Sequence, residues 1–311
     1  MNGKNLLSVL DLTPETARTL LNDAFAFKTG RFHGIPHGKV LALLFEKPSL
    51  RTRVSFEIAM MRLGGKAIYL SPPEVGLGKR EPVADVARVL ERYVDIIAAR
   101  VFSHSSLIEL AETAEIPVIN ALSDLEHPCQ ALADMLTIME HKGVVKGVKI
   151  AYIGDGNNVA NSLMLLSAML GADFSIAAPK GYEIQPDITD QAYTYAIQSG
   201  AHIECLDNPV EAVQGADVIY TDTWTSMGQE TEAEKRRNDF YGYQVNSELL
   251  CHAPERVIVM HCLPAHRGEE INGDILDGPH SVVFDQAENR AHVAGAVIAY
   301  LLGGLEISIG R

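Results

Sequence analysis

Short, continuously apolar runs alternate along this chain with stretches whose apolar residues recur every three or four positions. Thr13-Pro14-Glu15 predicts a helix start, with Thr13 as N-cap, Pro14 at the first position, and Ala17, Leu20, Leu21 and Ala24 on one face. "KVLALLF" (39–45) predicts a buried strand, being apolar throughout and polar at both ends. The period then changes: Val54, Ile58, Met61 and Phe56, Met60, Leu63 predict a helix from about Arg51 to Leu63, closed by Gly64-Gly65. Strand-like "KAIYL" and a glycine-rich loop, "SPPEVGLGKRE", follow. Pro82 opens a helix marked by Val83, Val86, Val89, Leu90 and Tyr93, and "DIIAARV" and "PVINAL" predict two strands with a helix between them.

Residues 127–143, "HPCQALADMLTIMEHKG", predict a helix opened by proline and closed by glycine. It leads to "VKIAYIGDGNN", a strand running into a tight turn, and then to strand-like "SIAAP", "DVIYTD", "VIVMHC" and "SVVF". A last helix is expected from about Asn289 to Leu302. Such alternation predicts an α/β chain of two α/β domains, each a mainly parallel sheet flanked by helices. The domains are joined by interdomain helices, with helix 127–142 crossing and the second sheet starting near Val148. No internal repeat or low-complexity segment interrupts the pattern.

Composition narrows the picture. The 311 residues suffice for two domains with real cores, and 47% hydrophobic with 21% charged residues are globular proportions. No run approaches a membrane span, and "MNGKNLLSVLDLTPET" lacks the features of a secretory or Arg-rich import signal, so a cytoplasmic location is expected. Four scattered cysteines (Cys129, Cys205, Cys251, Cys262) without a C-x-x-C pair predict reduced thiols and no zinc site. A net charge of −14 argues against nucleic acid but leaves room for small anions held by a few clustered arginines.

In open α/β sheets ligands bind beyond the carboxyl ends of the strands. After strand 39–45 come Ser49, Leu50, Arg51, Thr52 and Arg53 at a helix mouth, where the dipole alone would favour acidic residues. Backbone N–H groups, hydroxyls and guanidinium converging there form a site for a phosphate dianion; the alternative is a surface pair, with Arg53 bridging to Glu57. Arg100 closes "DIIAARV". His127 and Gln130, one turn apart, could reach one ligand, although a histidine beside proline can also be a simple cap. "GDGNNVANS" departs from the dinucleotide fingerprint: Val159 takes the third glycine position, and no acidic residue closes the next strand. Asn157 and Asn158 instead suit a carboxylate or amide. Asp222, ahead of Ser226-Met227-Gly228, could hold an amino group or cap a turn. Cys262 could point a thiol into the cleft or simply pack.

Three strings, "SLRTR" (49–53), "HPCQ" (127–130) and "HCLPA" (261–265), supported by "DTWTSMGQE" (222–230) and "FDQAENR" (284–290), resemble the carbamoyltransferases of the aspartate/ornithine superfamily, nearest to the ornithine branch. The resemblance covers nearly the whole chain. It implies carbamoyl transfer from carbamoyl phosphate to the δ-amino group of L-ornithine, giving L-citrulline in arginine biosynthesis, without metal or organic cofactor. It implies a carbamoyl phosphate domain (1–133), an ornithine domain (147–288) and a C-terminal helix (289–311) packing back on the first, in a homotrimer or multiple of trimers. Carbamoyl phosphate would be held by Ser49, Leu50, Arg51, Thr52, Arg100, His127, Gln130, Cys262, Leu263 and Arg290. Ornithine would be held by Asn158, Asp222, Ser226 and Met227, with Cys262, Arg100 and His127 catalytic. Two positions depart from the family pattern: Leu50 replaces a threonine, and Gly76 stands where a glutamine lent to a neighbouring subunit is usual, so that either Glu74 or Lys79 substitutes or that contact is absent.

Overall fold

The computed structural model describes residues 5–31, 38–226 and 228–303, so Met227 lies outside the described residues. The chain divides into two compact units, Met1–Leu136 with Glu288–Arg311, and Thr137–Ala287. The helices Pro128–Lys142 and Val283–Leu301 run in sequence from one unit into the other.

The first unit is built on a four-stranded parallel sheet: β1 (Val40–Phe45), β2 (Lys66–Leu70), β3 (Ile96–Arg100) and β4 (Val118–Leu122), in the order β2-β1-β3-β4. Leu41 to Phe45 are fully buried, as a central parallel strand covered on both faces requires. The helices Pro14–Lys28 and Leu50–Arg62 begin at Thr13 and Ser49, whose side chains accept from the backbone N–H three residues on.

Of the two apolar stripes on Leu50–Arg62, Phe56 and Met60 are buried together with Leu63 just beyond the helix, while Val54 and Met61 are exposed. The helix Val83–Leu90 buries Val83, Ala87 and Leu90 but leaves Val89 and, beyond its end, Tyr93 in solvent. Gly76 closes the short helix Pro72–Val75 in the left-handed region (φ 50°), and a Cβ there would lie 2.7 Å from Arg80 Cβ. Any glutamine at this position would be strained.

The second unit carries β5 (Lys149–Ile153), β6 (Asp173–Ala177), β7 (Ile203–Leu206), β8 (Val218–Thr221) and β9 (Ile258–His261), all parallel, in the order β7-β6-β5-β8-β9. β7 escapes the hydrophobic pattern because it is a half-exposed edge strand with Glu204 inside it.

One expected strand is absent. In "SVVF" only Ser281 bridges to Val259, and the last helix already begins at Val283 rather than Asn289. An apolar run that short has no readable period, and the bond from Gln286 N to the Val282 carbonyl (2.9 Å) winds it into helix.

Both sheets change winding direction at one place, between β1 and β3 and between β5 and β8. The strand ends there are paired in register, Phe45 with Arg100 and Ile153 with Thr221. Ser49–Thr52, Arg100, Asn158 and Asp222 end or follow the strands at these switch points, whereas His127 and Gln130 come after edge strand β4 and Cys262 and Leu263 after edge strand β9.

Candidate active site

In the first unit, Ser49 Oγ accepts from Thr52 N–H (3.3 Å) and donates to Thr52 Oγ1 (3.0 Å), so the cap and the first turn share one polar knot. Thr52 is fully buried, and its hydroxyl oxygen accepts from Arg290 Nη2 at 2.8 Å and lies 3.5 Å from Arg100 Nη1. Arg100 and Arg290 are themselves buried, at 8% and 9% exposure, so two guanidinium groups are held at one helix mouth. A register shift between Ala99 and Arg100 pairs Arg100 with Leu122, a kink that re-aims a side chain at a strand end.

The two arginines of the first motif part company. Arg53 bonds to Glu57 (2.9 Å) and lies 4.1 Å from the centre of the Tyr69 ring, which is the surface-pair arrangement. Arg51 is half-buried and takes part in no ion pair among the described residues. Leu50 is 75% exposed, so only its backbone can face the helix mouth. Glu74 is spent on its own helix start, accepting from Ser71 N–H (2.7 Å) and Ser71 Oγ, bonds that hold its carboxyl below the usual range.

His127 and Gln130 sit at the start of Pro128–Lys142, at 4% and 1% exposure. Burial, helped by Arg290 and Arg100, holds the His127 imidazole well below its ordinary value, so the ring is neutral at neutral pH. Cys129, beside it, is pushed up to about 12 by burial and stays a thiol. Gln130 Nε2 donates to Asp134 Oδ1 (2.8 Å), while its carbonyl oxygen is buried and without a hydrogen-bond partner among the described residues. Buried Glu126 steadies this corner by accepting from Val9 N–H (2.9 Å) and from Ser8 Oγ. No sequence motif marked Glu126.

In the second unit, β5 ends in Gly154-Asp155-Gly156. A Cβ on Gly156 would lie 2.4 Å from Ile184 N, so only glycine allows the turn to pack. Asn157 caps the helix Asn158–Leu170 by accepting from Val159 and Ala160 N–H (2.9 and 3.1 Å), and it donates to Asp222 Oδ2 at 2.8 Å. Asn158 is the first helical residue, half-buried.

Asp222, at 8% exposure beyond β8, also accepts from Thr223 N–H (2.8 Å) and Cys262 Sγ (3.0 Å). Its carboxylate is therefore held from three sides, beyond what a turn cap needs. Ser226 N–H donates to Gln229 Oε1 (3.2 Å), folding the segment back on itself.

Leu263 stands at φ 56°, a conformation that an L-residue adopts only when held. The hold comes from His261, whose Nδ1 accepts from Leu263 N–H (2.9 Å); Nε2 therefore carries the proton and donates to Glu270 Oε1 (3.0 Å). Both residues of that pair are fully buried.

Asp222, His261 and Cys262 offer donor atoms within 4.8 Å of one another, as do His266, Glu269 and Glu270. In the first group both His261 nitrogens are already engaged. Sequence reasoning passed over Asp155, Arg236, Asn157 as a partner of Asp222, and the His261–Glu270 pair; the only signal was polar residues crowded between the glycines of one turn.

Residues 4–140 match the carbamoyl-P binding domain of aspartate/ornithine carbamoyltransferase, and residues 146–301 match its Asp/Orn binding domain. The chain is 54% identical to an ornithine carbamoyltransferase of Pyrococcus horikoshii over 310 residues, 98% of each protein. It is also 54% identical over 308 residues to one of Pyrococcus furiosus described as anabolic, again 98% of each. A solved ornithine carbamoyltransferase structure from Pyrococcus furiosus superposes with a TM-score of 0.93 at 53% identity, covering 97% of this chain and 98% of that one.

Proposed function

The chain belongs to the aspartate/ornithine carbamoyltransferase family, and on that basis we propose that it transfers the carbamoyl group of carbamoyl phosphate to the δ-amino nitrogen of L-ornithine. L-citrulline and phosphate are the products. The observation that carries the ornithine reading is Asp222, buried and held by Asn157 and Cys262 beside the start of Asn158–Leu170. A fixed carboxylate there suits a cationic amino acid and would repel the second carboxylate of aspartate. The α-carboxylate then belongs at the mouth of Asn158–Leu170, near Asn158. Ser226 and Met227 complete the ornithine side in this reading.

Ser49, the Leu50 backbone, Arg51 and Thr52 would cradle the phosphate, with Arg100 and Arg290 neutralising its charge. Gln130's buried carbonyl oxygen would accept from the carbamoyl NH2 group. Neutral His127 and Arg100 would donate to the carbamoyl oxygen as charge builds on it. The amine attacks the carbonyl carbon, the new C–N bond forms, the C–O bond to phosphate breaks, and the proton lost by the nitrogen ends on the departing phosphate, which leaves as hydrogen phosphate. Ornithine's δ-amine is protonated near neutral pH, like a lysine, so it must lose a proton to react. Cys262 and Asp222, 3.0 Å apart, would orient the free amine, with Leu263 lining the same turn. Holding both substrates together supplies much of the rate.

We place the reaction in arginine biosynthesis in the cytoplasm, in a homotrimer or multiple of trimers. Support for assembly comes from β2, an edge strand with Ile68 exposed, and from exposed Leu50, Val54 and Met61 on the helix between β1 and β2. Steady-state citrulline assays test the activity. Product is expected with ornithine and carbamoyl phosphate, and none with aspartate, putrescine or Nα-acetylornithine. Carbamoylation of aspartate in preference to ornithine would contradict the reading.

A further inference from the structure

Beyond the residues expected to touch ornithine, the second unit contains a buried ion pair that the reaction does not use. Arg236, in the helix Ala233–Asp239, is 6% exposed, and one of its nitrogens, Nη1, donates both to Asp155 Oδ2 (2.8 Å) and to the Trp224 carbonyl (2.8 Å). Its Nε reaches Glu232 at 3.2 Å, and the guanidinium lies 4.9 Å from the centre of the Tyr182 ring. Tyr182 packs on Phe240, which stacks on Trp224 at 5.6 Å.

Asp155 sits in the turn that carries Asn157 and Asn158, and Trp224 lies between Asp222 and Ser226. The turn after β5 and the segment after β8 are thus fastened twice, once through Asn157–Asp222 and once through Asp155–Arg236–Trp224. Each fastening ties the proposed carboxylate contact to the proposed ammonium contact.

We infer that Asp155 and Arg236 are positioning residues for the amino-acid substrate: their ion pair sets the register between the 154–158 turn and the 222–226 segment. This rests on the ornithine reading of that half-site. The pair is costly to keep. Burial pushes the Asp155 carboxyl up to about 6 despite Arg236, with Asp222 and Glu232 adding to the rise. Buried ion pairs of this kind are poor stabilisers compared with apolar packing. Orientation is what the pair contributes: Nη1 fixes the Asp155 carboxylate and the Trp224 carbonyl while Nε is held by Glu232 and the plane lies over Tyr182, a planar arrangement that an ammonium, a point charge, does not reproduce.

The test is a KM-against-kcat comparison in the full-length enzyme. Asp155→Asn is expected to raise the ornithine KM by about tenfold or more, the equivalent of about 1.4 kcal/mol. The same variant should keep kcat within about threefold and carbamoyl phosphate affinity within about twofold of wild type, as loss of substrate binding alone predicts. Arg236→Lys keeps the charge but not the fork, and is expected to raise the ornithine KM in the same direction. If Asp155→Asn does not fold, Arg236→Lys decides alone. An ornithine KM unchanged in an active variant overturns the inference, as does an equal loss of carbamoyl phosphate affinity, which marks general damage. A wild-type enzyme that forms no citrulline strikes the functional reading instead.

Discussion

Arg51 and Arg53 share a motif but not a role. Arg53 is occupied by Glu57 and Tyr69, whereas Arg51, half-buried in the first turn of the same helix, takes part in no ion pair among the described residues. Charge-assisted bonds to a phosphate are among the strongest available, so Arg51→Ala is expected to cost about 2–3 kcal/mol of carbamoyl phosphate binding. That is about a hundredfold in KM. Arg53→Ala should leave the KM within about twofold, as expected of an exposed pair. Kinetics of the two variants side by side check the division.

His127 carries a pH signature. Its folded-state value lies well below the ordinary 6.5, so the folded protein binds fewer protons there than the unfolded chain. The stability this contributes is present above about pH 6.5 and is lost as the pH falls below it. Denaturant melts between pH 5 and 7 should show that loss, and His127→Gln should flatten it. Asp155 works in the opposite sense. With its carboxyl raised from 3.8 to about 6, the stability it contributes is present below pH 4 and lost as the pH rises through about 6. At neutral pH the ionised group therefore costs on the order of 3 kcal/mol relative to an unshifted carboxylate. Asp155→Asn removes this titration, so the difference in melting temperature between variant and wild type should change with pH between about 4 and 7; a difference that does not depend on pH would contradict this account.

At the scale of elements, strand–turn–helix junctions carry the candidate site residues, and these were the most legible parts of the sequence. Continuous apolar strands such as β1 and β3 and capped helices such as Pro14–Lys28 announce themselves through burial and end chemistry. β7 and the start of Val283–Leu301 did not, because one is a half-exposed edge and the other a short apolar run with two possible periods. The turn at Gly154–Asn157 was visible as a turn, but its tolerance was not. Gly156→Ala places a methyl 2.4 Å from the Ile184 backbone nitrogen, an overpacking expected to cost about 1–3 kcal/mol. The damage should fall on ornithine KM before carbamoyl phosphate KM, and paired titrations would show it.

At the scale of the whole molecule, the chain is two parallel-sheet units, each with candidate residues beyond the carboxyl ends of its own strands, some of them at the switch point. The candidate residues of each half-site stand out in the sequence because their types suit a dianion in one unit and a cationic amine in the other. Their supports do not. Thr52 as a common hub for Ser49, Arg100 and Arg290 joins positions far apart in sequence, as do Asn157 with Asp222 and Asp155 with Arg236. No local pattern encodes a pairing made only by the fold. Among the described residues no helix is long and apolar enough to cross a membrane.

The most direct test is a crystal structure with a bisubstrate analogue that joins a phosphonoacetyl group to ornithine's δ-nitrogen. The phosphonate should lie on Ser49–Thr52 with Arg51, Arg100 and Arg290 around it, and the α-carboxylate should lie at Asn158. A phosphonate bound elsewhere, with the Ser49–Thr52 turn untouched, would contradict the account.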